Sequence, residues 1–79
     1  MSLAHLSVQK SYSTQIKKLG KRVSKLRQLR GFSQADLAGK CEVDIRTIQR
    51  VEKGEHGTGL HILFAIADAL SISLTELFE

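Results

Sequence analysis

The sequence predicts a single all-α domain of five helices, and three observations carry that prediction. Apolar residues recur at three- and four-residue steps along most of the chain, the spacing of one helical face. Proline is absent and the six glycines fall outside the periodic segments, as a helical protein would show. The 79 residues, 42% of them apolar, supply a core for one small domain and no second one. With 5% aromatic residues and no Trp, that core must be aliphatic. Cys41 is the lone cysteine, so neither an intrachain disulfide nor a Cys-cluster zinc site staples the fold. A chain of this size then needs well-packed helices, a partner chain, or both.

Residues 1–12 show no clean period and read as a mobile N-terminal arm, leaving 13–79 as the folded domain. Ile16, Leu19, Val23 and Leu26, extended by Leu29, mark one face of a helix from about Ser13 to Arg30, which Gly31 ends. Ser33 followed by Asp36 has the form of an N-cap with an acid three residues on. The short helix behind it buries Leu37, Ala38 and Cys41 and stops near Cys41. Asp44 caps the next helix, whose inner face is Ile48 and Val51 and whose end is Gly54. Glu55–Gly59 is a loop. Leu60–Leu70 is a broadly apolar helix, and the Ser73–Glu76 capping box opens a last short turn.

Charge is divided unevenly. Residues 1–35 carry eight basic side chains and no acid, whereas residues 36–79 carry four basic and eight acidic ones, so the halves are +8 and −4. This asymmetry favours a polyanion as partner for one surface, and a solvated helix face would account for it as well. No segment approaches the roughly 18 apolar residues of a membrane span, and the N-terminus lacks a signal-peptide core, which points to the cytoplasm.

The two short helices around the link Glu42-Val43-Asp44 form a helix-turn-helix pattern. Such helices cross steeply, so a small residue is needed where the backbones approach, and Ala38 stands there. Val43 plugs the corner, while Ile48 and Val51 anchor the second helix. What remains outward is Ile45, Arg46, Thr47, Gln49, Arg50 and Lys53, a short polar and basic face suited to a major groove about 12 Å wide.

The runs Leu19–Val23, Leu26-Arg27, Gly31–Ala38, Thr47–Gly54, Leu63–Leu70 and Leu74–Leu77, in this order and spacing, resemble the lambda-repressor/Cro-like helix-turn-helix family, also called XRE, over residues 19–78. The resemblance implies a five-helix lambda-repressor-like domain with the motif in helices 2 and 3. It further implies a homodimer on a palindromic operator in double-stranded DNA. Carried over residue by residue, it implies base contacts by Ile45, Arg46, Thr47 and Arg50, a phosphate clamp by Gln34, and an ion pair between Arg27 and Glu52 that presents Arg27 to a phosphate. Ser33, Gln49, Lys53 and His56 are further candidates for phosphate contact by position. Three departures from the family pattern stand out. Glu42 occupies a turn position usually held by Gly, so it adopts a left-handed backbone or the turn differs. Gly57-Thr58-Gly59 replaces a Ser cap and a rigid Pro, which frees the loop. Ile45 is apolar and suits a thymine methyl rather than a base-edge hydrogen bond.

On the fourth helix, Leu60, Leu63, Ile66, Ala67 and Leu70 suffice for the core. Ile62, Ala65 and Ala69 are left over and, with Leu74 and Phe78, form the expected dimer interface, the alternative being a wider core. No cofactor or metal is expected: His5, His56 and His61 make no ligand set, and Cys41 reads as core. No nucleophile–base pair or paired carboxylates indicate an enzyme. The reading is thus a DNA-binding transcriptional regulator, with a protein-interaction module such as an antitoxin as the alternative. A protein partner, a toxin or RNA polymerase, is left open.

Overall fold

The computed structural model describes residues 3–55 and 57–79, with side chains from residue 12 onward. Among these residues there are five helices in the order α1 (Leu3–Leu29), α2 (Gln34–Cys41), α3 (Ile45–Lys53), α4 (Leu60–Ala69) and α5 (Leu74–Leu77), and no strand.

The first helix departs from the sequence expectation, because it begins at Leu3 and not near Ser13. No Gly or Pro interrupts the chain between Leu3 and Gly20, and Leu, Ala, Gln and Lys are good helix formers, so nothing breaks the helix over that stretch. Its 27 residues span about 40 Å at 1.5 Å per residue, which accounts for the molecule's 43 Å long axis. Gly20 and Gly39 lie inside α1 and α2, so the glycines do not all fall outside the helices as expected. Leu29 is exposed and contributes nothing to the core.

The remaining boundaries follow from capping chemistry. Ser33 Oγ accepts a hydrogen bond from the amide of Asp36, and the Asp36 carboxylate accepts one from the amide of Ser33. Ser73 and Glu76 repeat this box at α5. Both carboxyls are held below the ordinary range, first by the serine backbone amide and then by the serine hydroxyl. Asp44 occupies the N-cap of α3 with extended backbone, but its side chain makes no capping bond; its carbonyl instead accepts from the amide of Thr47.

Val23, Leu37, Ala38, Ile48, Val51, Leu63, Ile66, Ala67, Leu70 and Leu77 form one buried cluster drawn from all five helices. Full burial of each larger aliphatic side chain contributes about 1.5–3 kcal/mol relative to exposure. Cys41 packs against this cluster, and burial, then the charge of Asp68, pushes its thiol above the ordinary range, as befits a core residue.

Two arginines, Arg22 in α1 and Arg30 just past its end, reach across the bundle. Arg22 Nε donates to the carbonyl of Glu76 in α5 at 3.0 Å. Arg30 Nε donates to the carbonyl of Leu70 at the end of α4 at 2.9 Å. Terminal helix carbonyls have no intrahelical donor and carry the negative end of the dipole, so a guanidinium there is well placed.

Candidate nucleic-acid interface

Helix α3 is held from behind and open in front. Ile48 and Val51 are fully or nearly buried, while Arg46, Gln49, Arg50 and Lys53 are exposed. At 100° per residue these four side chains share the side opposite the buried pair. Ile45 is exposed at the edge of this face and Thr47 is half-buried at the other edge. The six outward residues read from the sequence therefore come together on one surface, with Thr47 the least accessible.

The turn that sets this face depends on a left-handed residue. Glu42 has φ 56° and ψ 43°, the conformation the family's usual Gly adopts without strain. The amides of Glu42 and Val43 donate back to the carbonyls of Gly39 and Ala38, closing α2. Val43 is half-buried against the core and Ala38 is buried where α2 meets α3. At the far end, Gly54 (φ 79°) terminates α3, and the amide of Glu55 donates to the carbonyl of Arg50 at 3.0 Å.

Packing of α1 against α3 rests on a residue whose role sequence reasoning missed. A Cβ at Gly20 would overlap the carbonyl oxygen of Val51 and lie 2.8 Å from that of Glu52. The missing side chain is what lets the long helix cross the last turn of α3. A Gly inside an uninterrupted helical pattern is the signal that marks such a contact. Gly54 is constrained twice, by its positive φ and by the Lys17 backbone, 2.8 Å from where its Cβ would stand.

Arg27 and Glu52 lock this crossing. Arg27 Nε donates to Glu52 Oε2 at 2.7 Å and Nη2 donates to Oε1 at 3.1 Å, a two-pronged pair. Arg27 Nη1 donates to the carbonyl of Phe32 at 2.9 Å. The side chains are only 12% and 7% exposed. The pair comes first for Arg27, and what it could still offer the expected phosphate is the second hydrogen on each of Nη1 and Nη2. Glu52 Oε1 additionally accepts from Gln34 Nε2 at 2.9 Å. Gln34 is thereby tied to α3, and what it offers a phosphate is its second amide hydrogen together with the first-turn backbone amides of α2. Ser33 Oγ is committed as acceptor in the capping box, with its own hydrogen free to donate. Arg50 Nε faces Glu55 Oε1 at 3.9 Å across solvent. His56 lies outside the described residues.

The expected dimer residues are distributed differently. Ile62, Ala69 and Leu74 pack against the core cluster, and Ala65 is half-buried. Leu60, assigned to the core from the sequence, is 59% exposed, Phe64 is 54% exposed, and Phe78 is exposed as expected. The stripe Leu63, Ile66, Ala67 and Leu70 has an apolar flank on either side. The flank of Ile62 and Ala69 is covered and that of Leu60 and Phe64 is not. A separate groove between α1 and α5, lined by Tyr12, Ile16, Leu19, Leu77 and Phe78 among others, includes no residue of α3.

The helix-turn-helix family model matches residues 23–77. The chain belongs to that family, in its XRE type. Among solved structures, it is similar to the restriction-modification controller protein C.AhdI from Aeromonas hydrophila, with 34% identity and a TM-score of 0.75 over 78% of this chain and 94% of that one. It is also similar to the clp gene regulator ClgR from Corynebacterium glutamicum, with a TM-score of 0.75 over 80% of this chain and 67% of that one, where 21% identity shows the shared fold. No curated relative matches the chain in sequence. As an XRE-type helix-turn-helix protein it is DNA-binding, and among the described residues no helix is long and apolar enough to cross a membrane.

Proposed function

We propose that the protein is a sequence-specific transcriptional regulator that binds a palindromic operator as a homodimer, with α3 in the major groove of each half-site. The observation that carries the reading is the outward face of Arg46, Gln49, Arg50 and Lys53 on a helix anchored by Ile48, Val51 and the Arg27–Glu52 pair. Arg46 and Arg50, one turn apart, are the base readers, and each bidentate contact to a guanine is worth about 1–3 kcal/mol of discrimination. Ile45 meets a thymine methyl and Thr47 the adjacent base edge. Gln34, Ser33, Gln49, Lys53 and His56 meet the phosphates and fix register. The likeness to a restriction-modification controller supports a regulatory role.

A nine-residue helix addresses only a few base pairs, so discrimination in a genome requires two copies. The second copy docks along the uncovered flank of α4, Leu60 and Phe64, with Phe78 contributing from the C-terminal turn. Selecting bound duplexes from a random DNA pool tests the reading. It predicts a two-fold symmetric consensus with half-sites about one helical turn apart. An enriched pool without symmetry refutes the dimer, and a pool with no enrichment refutes sequence-specific binding. The affinity should also fall steeply with salt; a flat dependence favours a protein-interaction module.

A further inference from the structure

We infer that Glu55 is a specificity-determining residue, which positions Arg50 for base readout and suppresses binding to non-operator DNA. The inference rests on the assignment of Arg50 as a base reader. Its basis is the way the end of α3 is built. Gly54 turns the chain back through its left-handed conformation, and the amide of Glu55 donates to the carbonyl of Arg50 itself. The backbone of Glu55 is thus pinned to the residue it faces, and its carboxylate reaches Arg50 Nε at 3.9 Å. The two side chains are 66% and 51% exposed, so in water the pair adds little to stability. At a DNA surface, where water is expelled, the same pair gains strength.

Two consequences follow from this geometry. Nε is the guanidinium atom that meets Glu55, so the Nη1–Nη2 end remains free for guanine O6 and N7, the acceptor pair a fork can read. The carboxylate also competes with DNA phosphates for Arg50 and repels them. A guanine at the right position repays that cost and a mismatched site does not, which is how an unfavourable charge raises discrimination. The surroundings magnify the effect. From the turn to the end of α3, residues 42–55, the exposed charges are Arg46, Arg50 and Lys53 against Glu42, Asp44 and Glu55, three against three, so this segment has no net charge to spare. Removing one acid makes it net positive.

The test compares wild-type protein, Glu55→Gln, Glu55→Ala, Arg50→Lys and the double variant Glu55→Gln/Arg50→Lys, each titrated with the selected operator and with a scrambled duplex of equal length. Because the Glu55 backbone bond survives any of these substitutions, the fold and melting temperature should be unchanged. Glu55→Gln should strengthen binding to the scrambled duplex by roughly two- to fivefold, the scale of an exposed charge interaction. The operator-to-scrambled ratio should fall by at least as much. Glu55→Ala should do the same, and in the Arg50→Lys background, where no fork exists, the loss of ratio should shrink. An unchanged ratio in both Glu55 variants, with Arg50→Lys lowering it, overturns the inference and leaves the reading of Arg50 intact. Equal tightening on both duplexes shows only a bulk charge and also overturns it. A wild-type ratio of one removes the base-reading assignment and this inference with it.

Discussion

Gly20 of α1 faces the carbonyl of Glu52 so closely that a Cβ on the glycine would lie 2.8 Å from that oxygen, with the Val51 carbonyl nearer still. Both obstacles are backbone atoms at the last turn of α3 and have no rotamer to yield. Helix propensity alone says that Gly→Ala inside a helix stabilises by about 1 kcal/mol. Here overpacking opposes it, at a cost of typically 1–3 kcal/mol. Gly20→Ala is therefore expected to lower the melting temperature and weaken operator binding. Gly39→Ala in α2 is the control: nothing lies within 4 Å of its Cβ, so propensity should win and the melting temperature should rise. Thermal denaturation of the two variants checks the opposite signs.

The Arg27–Glu52 pair is mostly buried and shared with Gln34. Glu52→Ala leaves the guanidinium without its counter-charge and with only the Phe32 carbonyl as partner, and breaking a buried pair in this way costs about 3–5 kcal/mol. Replacing both partners by apolar residues of similar size, as in Arg27→Met/Glu52→Leu, should recover most of that loss. Urea unfolding of the single and double variants measures the difference. Full loss in the double variant would show that the bonds to Phe32 and Gln34 matter more than the pair.

Glu42 holds a left-handed conformation that costs an ordinary residue about 1–2 kcal/mol. Gly adopts it freely but loses about 0.5–1 kcal/mol through the entropy of the unfolded chain. Glu42→Gly should therefore stabilise by up to about 1 kcal/mol, with DNA affinity preserved or raised by the loss of an acid. Denaturation and an operator titration report the two effects separately.

Asp36 and Glu76 have carboxyls held below their ordinary range by the capping boxes. A carboxyl whose folded pKa is depressed contributes stability that is fully present above its unfolded value and disappears as pH falls through its folded value. The melting temperature should thus hold near neutrality and decline through and below the ordinary carboxylate range. Asp36→Asn and Glu76→Gln should each flatten that decline. An acid limb unaltered in both variants would place its origin in other carboxylates.

Phe64→Asp puts a charge on the uncovered flank of α4 without touching the core. If the proposed dimer forms there, sedimentation equilibrium should show the variant as a monomer, with the far-UV helical signal unchanged. Ile62→Asp, in contrast, should unfold the chain, because Ile62 packs against the buried cluster.

The helix-turn-helix was legible because local chemistry and burial agree there. The Ser33–Asp36 box, the left-handed Glu42, Ile48 and Val51 inside, and Gly54 at the end each state the same geometry. Helix α4 is less legible, since Leu60 and Ile62 are both apolar and nothing in their periodicity tells which flank the neighbouring helices cover. The start of α1 was missed because residues 3–12 lack an apolar stripe, and helix continuity depends on the absence of a breaker as much as on a face to bury. The bonds of Arg22 and Arg30 to Glu76 and Leu70 span 54 and 40 residues of chain, a separation no local pattern encodes.

Those long-range bonds change how the N-terminal positive charge should be counted. Among the described side chains of residues 12–35, Arg22, Arg27 and Arg30 are anchored to acceptors within the molecule, whereas Lys17, Lys18, Lys21 and Lys25 make no such bond to another described residue. Only Arg27 meets a carboxylate, so only its charge is cancelled internally; Arg22 and Arg30 keep theirs, and what their bonds restrict is reach toward phosphates, each of which adds about 0.9 to the logarithmic salt slope when neutralised. The forked, planar heads of Arg22, Arg27 and Arg30 serve as internal fasteners, and along α1 the simple ammonium groups are what a polyelectrolyte would encounter.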